Sequence, residues 1–203
     1  MNEMYNNQPL GPEAAPLGWL LGQWRGWGVW SGFGVDNVVL RHDMEVTHDG
    51  GPYLRLLSHY LRSEAASGTI SADASAAEGI AALTETDVWS QETLYLRVNP
   101  AQAGSSSADV VGVEGMLADP AGFTVALEGR VAEHVIALAS EQISRVSSCP
   151  PVTQLERRYL LRDGELMISA HMAAFDQPLT PYLTTRLIKA EAAAGKHAKG
   201  AQE

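Results

Sequence analysis

The sequence predicts an all-β fold, an antiparallel up-and-down barrel of about ten strands with a short N-terminal helical turn. Three observations carry this expectation. Segments of strand length alternate apolar and polar side chains with period two. Between them stand turn-forming clusters: His48-Asp49-Gly50-Gly51, Asp119-Pro120-Ala121-Gly122 and Arg162-Asp163-Gly164. No stretch sustains the 3.6-residue apolar period of an amphipathic helix.

Residues 1–13 are polar and broken by Pro9, Gly11 and Pro12, and read as a flexible arm. Ala14–Leu21 is too short for a free-standing helix and reads as one turn capping a barrel end. The opening strand lies within Leu17–Gly34, where Gly22-Gln23-Trp24-Arg25-Gly26-Trp27-Gly28 spells G-x-W-x-G-x-G. On a strand, Trp24, Gly26, Gly28 and Trp30 share one face, and Arg25, Trp27 and Val29 share the other. Two positions without Cβ between two indoles mark a sharp bend, or close approach by a backbone or a ligand. A glycine-rich loop with Trp24 and Trp30 plugging the core is the plainer alternative.

Asn37–Thr47 shows the cleanest alternation, with Val38, Leu40, His42, Met44 and Val46 on one face. Tyr53–Arg62 returns as its hairpin partner across the Asp-Gly turn. Residues 63–79 are small and polar, with room for a short strand at Gly68–Ala72. Ile80–Trp89 and Glu92–Val98 read as a second hairpin, and Asn99–Ala108 as a loop. Three strands follow at Asp109–Leu117, Phe123–Arg130 and Ala132–Ala139. Gln154–Leu161 and Glu165–Phe175 form a hairpin around Arg162–Gly164, and Leu183–Lys189 is the last strand. Residues 14–189 therefore make one barrel domain. Residues 190–203 have alanines but no face to pack, and are expected to be disordered.

Composition narrows the partners. A chain of 203 residues with 45% hydrophobic content can bury one substantial core. Fourteen basic against 24 acidic residues give a net charge of −10 with no dense Lys/Arg patch. Nucleic acid and anionic membrane surfaces are thus not expected as partners. Cys149 is the single cysteine, which rules out an intrachain disulfide and is compatible with a reducing compartment. The N-terminus has no signal-peptide pattern, and no apolar run approaches the ~20 residues of a membrane helix. A cytoplasmic protein is expected.

Local signatures of catalysis and metal binding are absent from the sequence. Six histidines occur, but none stands with Cys, Asp, Glu or another His at metal-ligand spacing, so no metal site is assigned. His42 lies on the apolar face of its strand and reads as a satisfied interior histidine. His48 and His197 are expected in solvent, and His171 on the outer face of its strand. There is no G-x-S-x-G and no P-loop, and Cys149 has no neighbouring base or cation. Asp119 and Asp163 are turn residues. No catalytic residue is assigned.

One resemblance goes further. G-x-W-x-G-x-G after the apolar Trp19-Leu20-Leu21, then Thr84-Glu85 and Trp89, then Met172-Ala173-Ala174-Phe175 and Gln177-Pro178-Leu179, stand in the order and spacing of the nitrobindins. Residues 14–189 resemble that family, small barrels similar in shape to lipocalins and fatty-acid-binding proteins. The resemblance implies a pocket entered at one end. In haem-bearing members it implies ferric haem b, nitric oxide binding and peroxynitrite isomerisation. The family's haem-ligating histidine falls a few residues after the Pro-Leu pair, where this chain has Pro178-Leu179-Thr180-Pro181-Tyr182-Leu183. The resemblance thus makes Tyr182 the candidate cofactor position, and Gly22, Trp24, Gly26 and Gly28 the motif residues. A phenol, with its pKa near ~10, ligates iron well only as phenolate, and needs help such as a nearby guanidinium. Arg186 follows four residues later and shares a face with Tyr182 only if the strand has already begun. The reading is a barrel without histidine-ligated haem or the linked chemistry, Tyr182 lining a pocket for a small hydrophobic molecule. The alternative is an active ferric-haem peroxynitrite isomerase with Tyr182 as axial ligand.

Overall fold

Alternation over ten segments gives ten strands, and each turn cluster reverses the chain. In the computed structural model, which describes residues 8–66, 68–84, 86–100 and 110–190, the strands are β1 (Gly22–Gly32), β2 (Val35–Thr47), β3 (Tyr53–Ser63), β4 (Thr86–Val98), β5 (Val110–Asp119), β6 (Phe123–Ala132), β7 (Val135–Arg145), β8 (Val152–Arg162), β9 (Glu165–Ala174) and β10 (Thr180–Lys189). Each pairs antiparallel with its neighbours in sequence, and β1 pairs with β10 to close the barrel. The strand-turn-strand expectation is met, including all three turn clusters. A 3-10 helix, Pro12–Leu20, precedes β1. It begins within the stretch read as an arm, because Pro12 is well suited to a first helical turn.

The middle of the chain differs from its sequence reading. No strand forms at Gly68–Ala72; helix α1 (Ala76–Ala82) follows instead. Ser75 and Glu78 cap it reciprocally, side chain to backbone in both directions, a spacing present in the sequence as Ser-Ala-Ala-Glu. The expected hairpin Ile80–Trp89/Glu92–Val98 is one strand, β4. Tyr60 pairs with Ser90 and Leu61 with Val88, so Trp89 is an extra bulged residue that changes the strand's parity. Strand β6 runs on to Ala132, beyond the turn expected at residue 131, and β7 reaches Arg145 through an irregularity opposite Ala126/Leu127. Residues 1–7 of the expected arm, residues 191–203 of the expected tail and most of the Asn99–Ala108 loop lie outside the described residues. Among the described residues no helix is long and apolar enough to cross a membrane.

The two ends of the barrel differ. At one end the 3-10 helix supplies Leu17 and Leu20, both fully buried, and Trp24 donates its indole N–H to the Leu20 carbonyl at 2.7 Å. This end and the middle are packed with apolar side chains from every strand. On the outside of β1, α1 covers Trp27, which donates to the Ser75 carbonyl at 3.1 Å. That cover explains a buried indole on the face opposite Trp24.

The seam between β1 and β10 accounts for the two inner glycines of the motif. Gly26 pairs with Leu187 and Gly28 with Thr185. A Cβ on Gly26 would overlap the Arg186 carbonyl oxygen and lie 2.7 Å from Leu187 Cα; one on Gly28 would lie 2.9 Å from Thr185 Cα. Of the two readings left open by the sequence, close approach of a backbone is the one realised. Gly26→Val should therefore destabilise the barrel by at least the ~1–3 kcal/mol of ordinary overpacking, since strand backbone yields less than a side chain. Chemical denaturation measures this, and an unchanged midpoint would show that the seam can open without cost.

Candidate functional site

Two charged residues and a phenol at inward-facing positions of three strands meet near the end opposite the 3-10 helix. Tyr60 on β3 has the parity of Leu54 and Leu56, Glu92 on β4 that of Leu94 and Leu96, and Arg157 on β8 that of Leu155 and Tyr159. All three are buried. Arg157 forks onto Glu92, with Nη1 to Oε1 and Nη2 to Oε2 at 2.6 Å. Tyr60 donates its hydroxyl to Glu92 Oε1 at 2.8 Å. The same Arg157 Nη2 donates to the Tyr182 hydroxyl oxygen at 3.0 Å.

Tyr182 reaches this network because β10 is irregular there. Pro181 pairs with His171 and Leu183 with Ala170, leaving Tyr182 as the bulged residue. The bulge lets Tyr182 and Leu183, adjacent in sequence, both be buried on the inside. The guanidinium that a tyrosine in this place would need is Arg157, not Arg186. Arg186 points outward, bonded to the Asp73 and Ala74 carbonyls and paired with Glu165.

The electrostatics follow from burial and pairing. Burial pushes the Glu92 carboxyl up, but the Arg157 charge and the hydrogen bonds from Arg157 and Tyr60 outweigh it and hold Glu92 below the usual carboxylate range. Burial pushes the Tyr182 phenol up to about 12; Arg157 works against this, while Glu92 cancels much of its field. Tyr182 is thus a neutral phenol at neutral pH. Its oxygen accepts from Arg157, and its own hydrogen has no partner among the described residues.

His42 sits beside this network, fully buried and 4.4 Å from the Tyr60 ring, centroid to centroid. Its Nδ1 lies 3.1 Å from Thr185 Oγ1, while its Nε2 has no hydrogen-bond partner. It is an interior histidine, as expected, though only half satisfied. Burial lowers its pKa to about 3. His171 is on the outer parity of β9. His48 is half-buried rather than exposed, because its Nδ1 accepts the Gly50 N–H. His197 lies outside the described residues.

Above the network a cavity of about 200 Å³ opens to the barrel end. Tyr60, Glu92 and Tyr182 contribute to its inner wall, and Trp30, Phe33, Trp89 and Phe175 to its rim. Larger grooves of about 570 and 520 Å³ lie on the outside of the barrel, among side chains of the opposite parity. The end cavity is smaller, but it alone of these reaches the buried polar network. Of the residues singled out in sequence, Tyr182 lines it. Trp24 belongs to the closed end, Gly22 opens β1, and Gly26 and Gly28 form the seam.

Residues 13–189 match the model of a family described as THAP4-like, heme-binding beta-barrel domain. The chain belongs to this nitrobindin-type family. A ferric nitrobindin-like protein of Beutenbergia cavernae is 32% identical over 89% of this chain and 95% of its own length. A peroxynitrite isomerase of Nocardioides sp. is 29% identical over 89% of this chain and 94% of its own. The crystal structure of Rv2717c from M. tuberculosis superposes with a TM-score of 0.71 at 25% identity, covering 90% of this chain and all of that one (100%). The family resemblance read from the motifs is therefore correct, and so is the barrel it implied.

Sequence reasoning found Tyr182 and His42 but missed Glu92 and Arg157. The signal was present: a charged residue at the apolar parity of a strand is costly unless paired. Removing one partner should show that cost. Arg157→Met leaves the Glu92 charge buried without its partner and should destabilise the fold by about 3–5 kcal/mol. Adding Glu92→Met should recover much of the loss, and a double variant no more stable than the single would show that the two do not act as a pair. His42 supplies a pH dependence. Its pKa falls from 6.5 unfolded to about 3 folded, so its contribution is complete above 6.5 and is lost as pH falls through that window towards 3. The slope should approach about 1.4 kcal/mol per pH unit. Comparing wild type with His42→Leu by denaturation from pH 7 to pH 4 isolates this term, and parallel curves would show that His42 does not titrate on unfolding.

Proposed function

We propose that this chain is a nitrobindin-type barrel that does not carry haem on an axial iron bond, and that its end cavity binds a small, largely apolar molecule. The observation that carries this reading is the state of Tyr182. A phenol with a pKa of about 12 is phenolate in only about one molecule in 10⁵ at pH 7. Its oxygen already accepts from Arg157, whose charge is neutralised by Glu92. Arg157 could have activated a tyrosinate, but its bidentate pairing removes that role.

The rest of the cavity supports the same conclusion. Its uncompensated lining charge is a carboxylate, Asp119, whereas haem b brings two propionates of the same sign. Its volume, about 200 Å³, lies below the ~300–1,000 Å³ of pockets for drug-sized ligands, and a porphyrin is larger than most of these. The residues present do not suit haem, and no isomerase chemistry is assigned. What they do suit is burial of a compact ligand against aromatic walls, with the Tyr182 hydroxyl as a buried hydrogen-bond donor.

Hemin titration followed at the Soret band tests the first half. Wild type should bind weakly, and Tyr182→His should gain at most a faint histidine-ligated band, because the cavity's volume and lining charge still oppose haem and no second-nitrogen partner is built for the new imidazole. Tight wild-type binding that Tyr182→Phe abolishes would establish a working tyrosinate site and sink the proposal. Benzyl alcohol tests the second half. It should shift the indole NMR signals of Trp30 and Trp89, and silence at both indoles up to millimolar concentration would end the small-ligand reading.

A further inference from the structure

We propose that the preferred occupant of the end cavity is a small organic cation, an ammonium carrying apolar substituents; this rests on the small-ligand reading above. The first observation is the rim. Trp30 stands 6.0 Å from Trp89 and 6.4 Å from Phe33, and Phe33 stands 5.7 Å from Phe175, centroid to centroid. Four aromatic rings thus share one mouth, and Trp89 and Phe175 are 40% and 52% exposed. Such exposure of large apolar surface is unusual unless something covers it. Ring faces carry negative potential, and an aromatic cage is the common solution for binding alkylated ammonium groups.

The second observation is charge. Asp119, at the end of β5, lines the same cavity half-buried. It accepts the Ala121 N–H at 2.7 Å and forms no ion pair among the described residues. The other lining carboxylate, Glu92, has its cation behind it in Arg157, and Arg157 is not part of the lining. The cavity therefore presents one uncompensated negative charge within an aromatic rim. Among the described residues Arg62 is the one cation seated at a rim ring, 5.9 Å from the Trp89 centroid. It has the parity of Tyr60 on β3, in register with Leu40 and Asp87, but stands exposed at the strand's end and outside the cavity lining. The inner rings Trp30 and Phe33 carry no such cation among the described residues. A cation in the cavity would compensate Asp119, while the Tyr182 hydroxyl could donate to a polar substituent deeper inside.

Three probes of one shape decide this: choline, its uncharged isostere 3,3-dimethylbutan-1-ol, and the anion 3,3-dimethylbutanoate, each titrated calorimetrically into the full-length protein. Choline should bind roughly tenfold or more tightly than the neutral probe, and the anion most weakly. Asp119→Asn keeps the acceptor for Ala121 N–H, so the turn should survive. It should remove most of the choline preference and leave the neutral probe unchanged. Trp89→Leu, at an exposed bulge, should weaken choline more than its isostere. Equal binding of choline and the neutral probe overturns the cation proposal while the small-ligand reading stands, and so does choline affinity unchanged in Asp119→Asn. If benzyl alcohol also fails to bind, both readings fall together.

Discussion

Closure of β1 onto β10 is the constraint on which the rest of the structure depends. The first and last strands must meet with their backbones close enough that no side chain fits between them, and Gly26 and Gly28 meet that demand. Once the seam is made, every strand has a paired neighbour on each side and the inward-facing side chains share one interior. The seam also sets the two ends apart. Trp24 and the 3-10 helix seal one end, while the bulge at Tyr182 interrupts β10 at the other. The motif therefore closes the barrel that holds the cavity, and Gly22, Trp24, Gly26 and Gly28 are not among the residues lining it.

Inside that barrel the polar network is a problem of charge and its solution. Glu92 and Arg157 would each be prohibitive alone at this depth, but together they are neutral and joined by two hydrogen bonds, and of this pair only Arg157 Nε is left without a partner among the described residues. The pairing has a chemical consequence one residue further on. A free guanidinium beside Tyr182 would favour the phenolate; a neutralised one leaves a neutral hydrogen-bond donor. His42, held uncharged beside the same network, adds no compensating charge. The cavity floor is thus polar but electrically quiet, and the uncompensated charge lies nearer the rim at Asp119.

The family comparison and the site address different questions. The match over residues 13–189 places this chain among nitrobindin-type proteins, whose model is named for haem binding. The floor chemistry is a property of particular side chains set on that barrel, and relatives sharing the fold carry different names.

The sequence by itself determined the fold class, because side-chain alternation and turn chemistry are local. Val38 to Val46 announce an inward face, and Asp163-Gly164 announce a reversal, whatever surrounds them. It also contained the S-x-x-E cap of α1, which was legible but overlooked among small residues. Parity was readable only while the strand stayed regular. At Trp89 and Tyr182 a bulge shifts the count by one, and nothing local marks it, because a bulge answers to the register of the partner strand. The site was beyond local reading for a related reason. Glu92 and Arg157 stand 65 positions apart, and Arg157 and Tyr182 stand 25 apart. Only closure of the ring brings an acid, a cation and a phenol into one buried volume, where burial and pairing decide which of them keeps its charge.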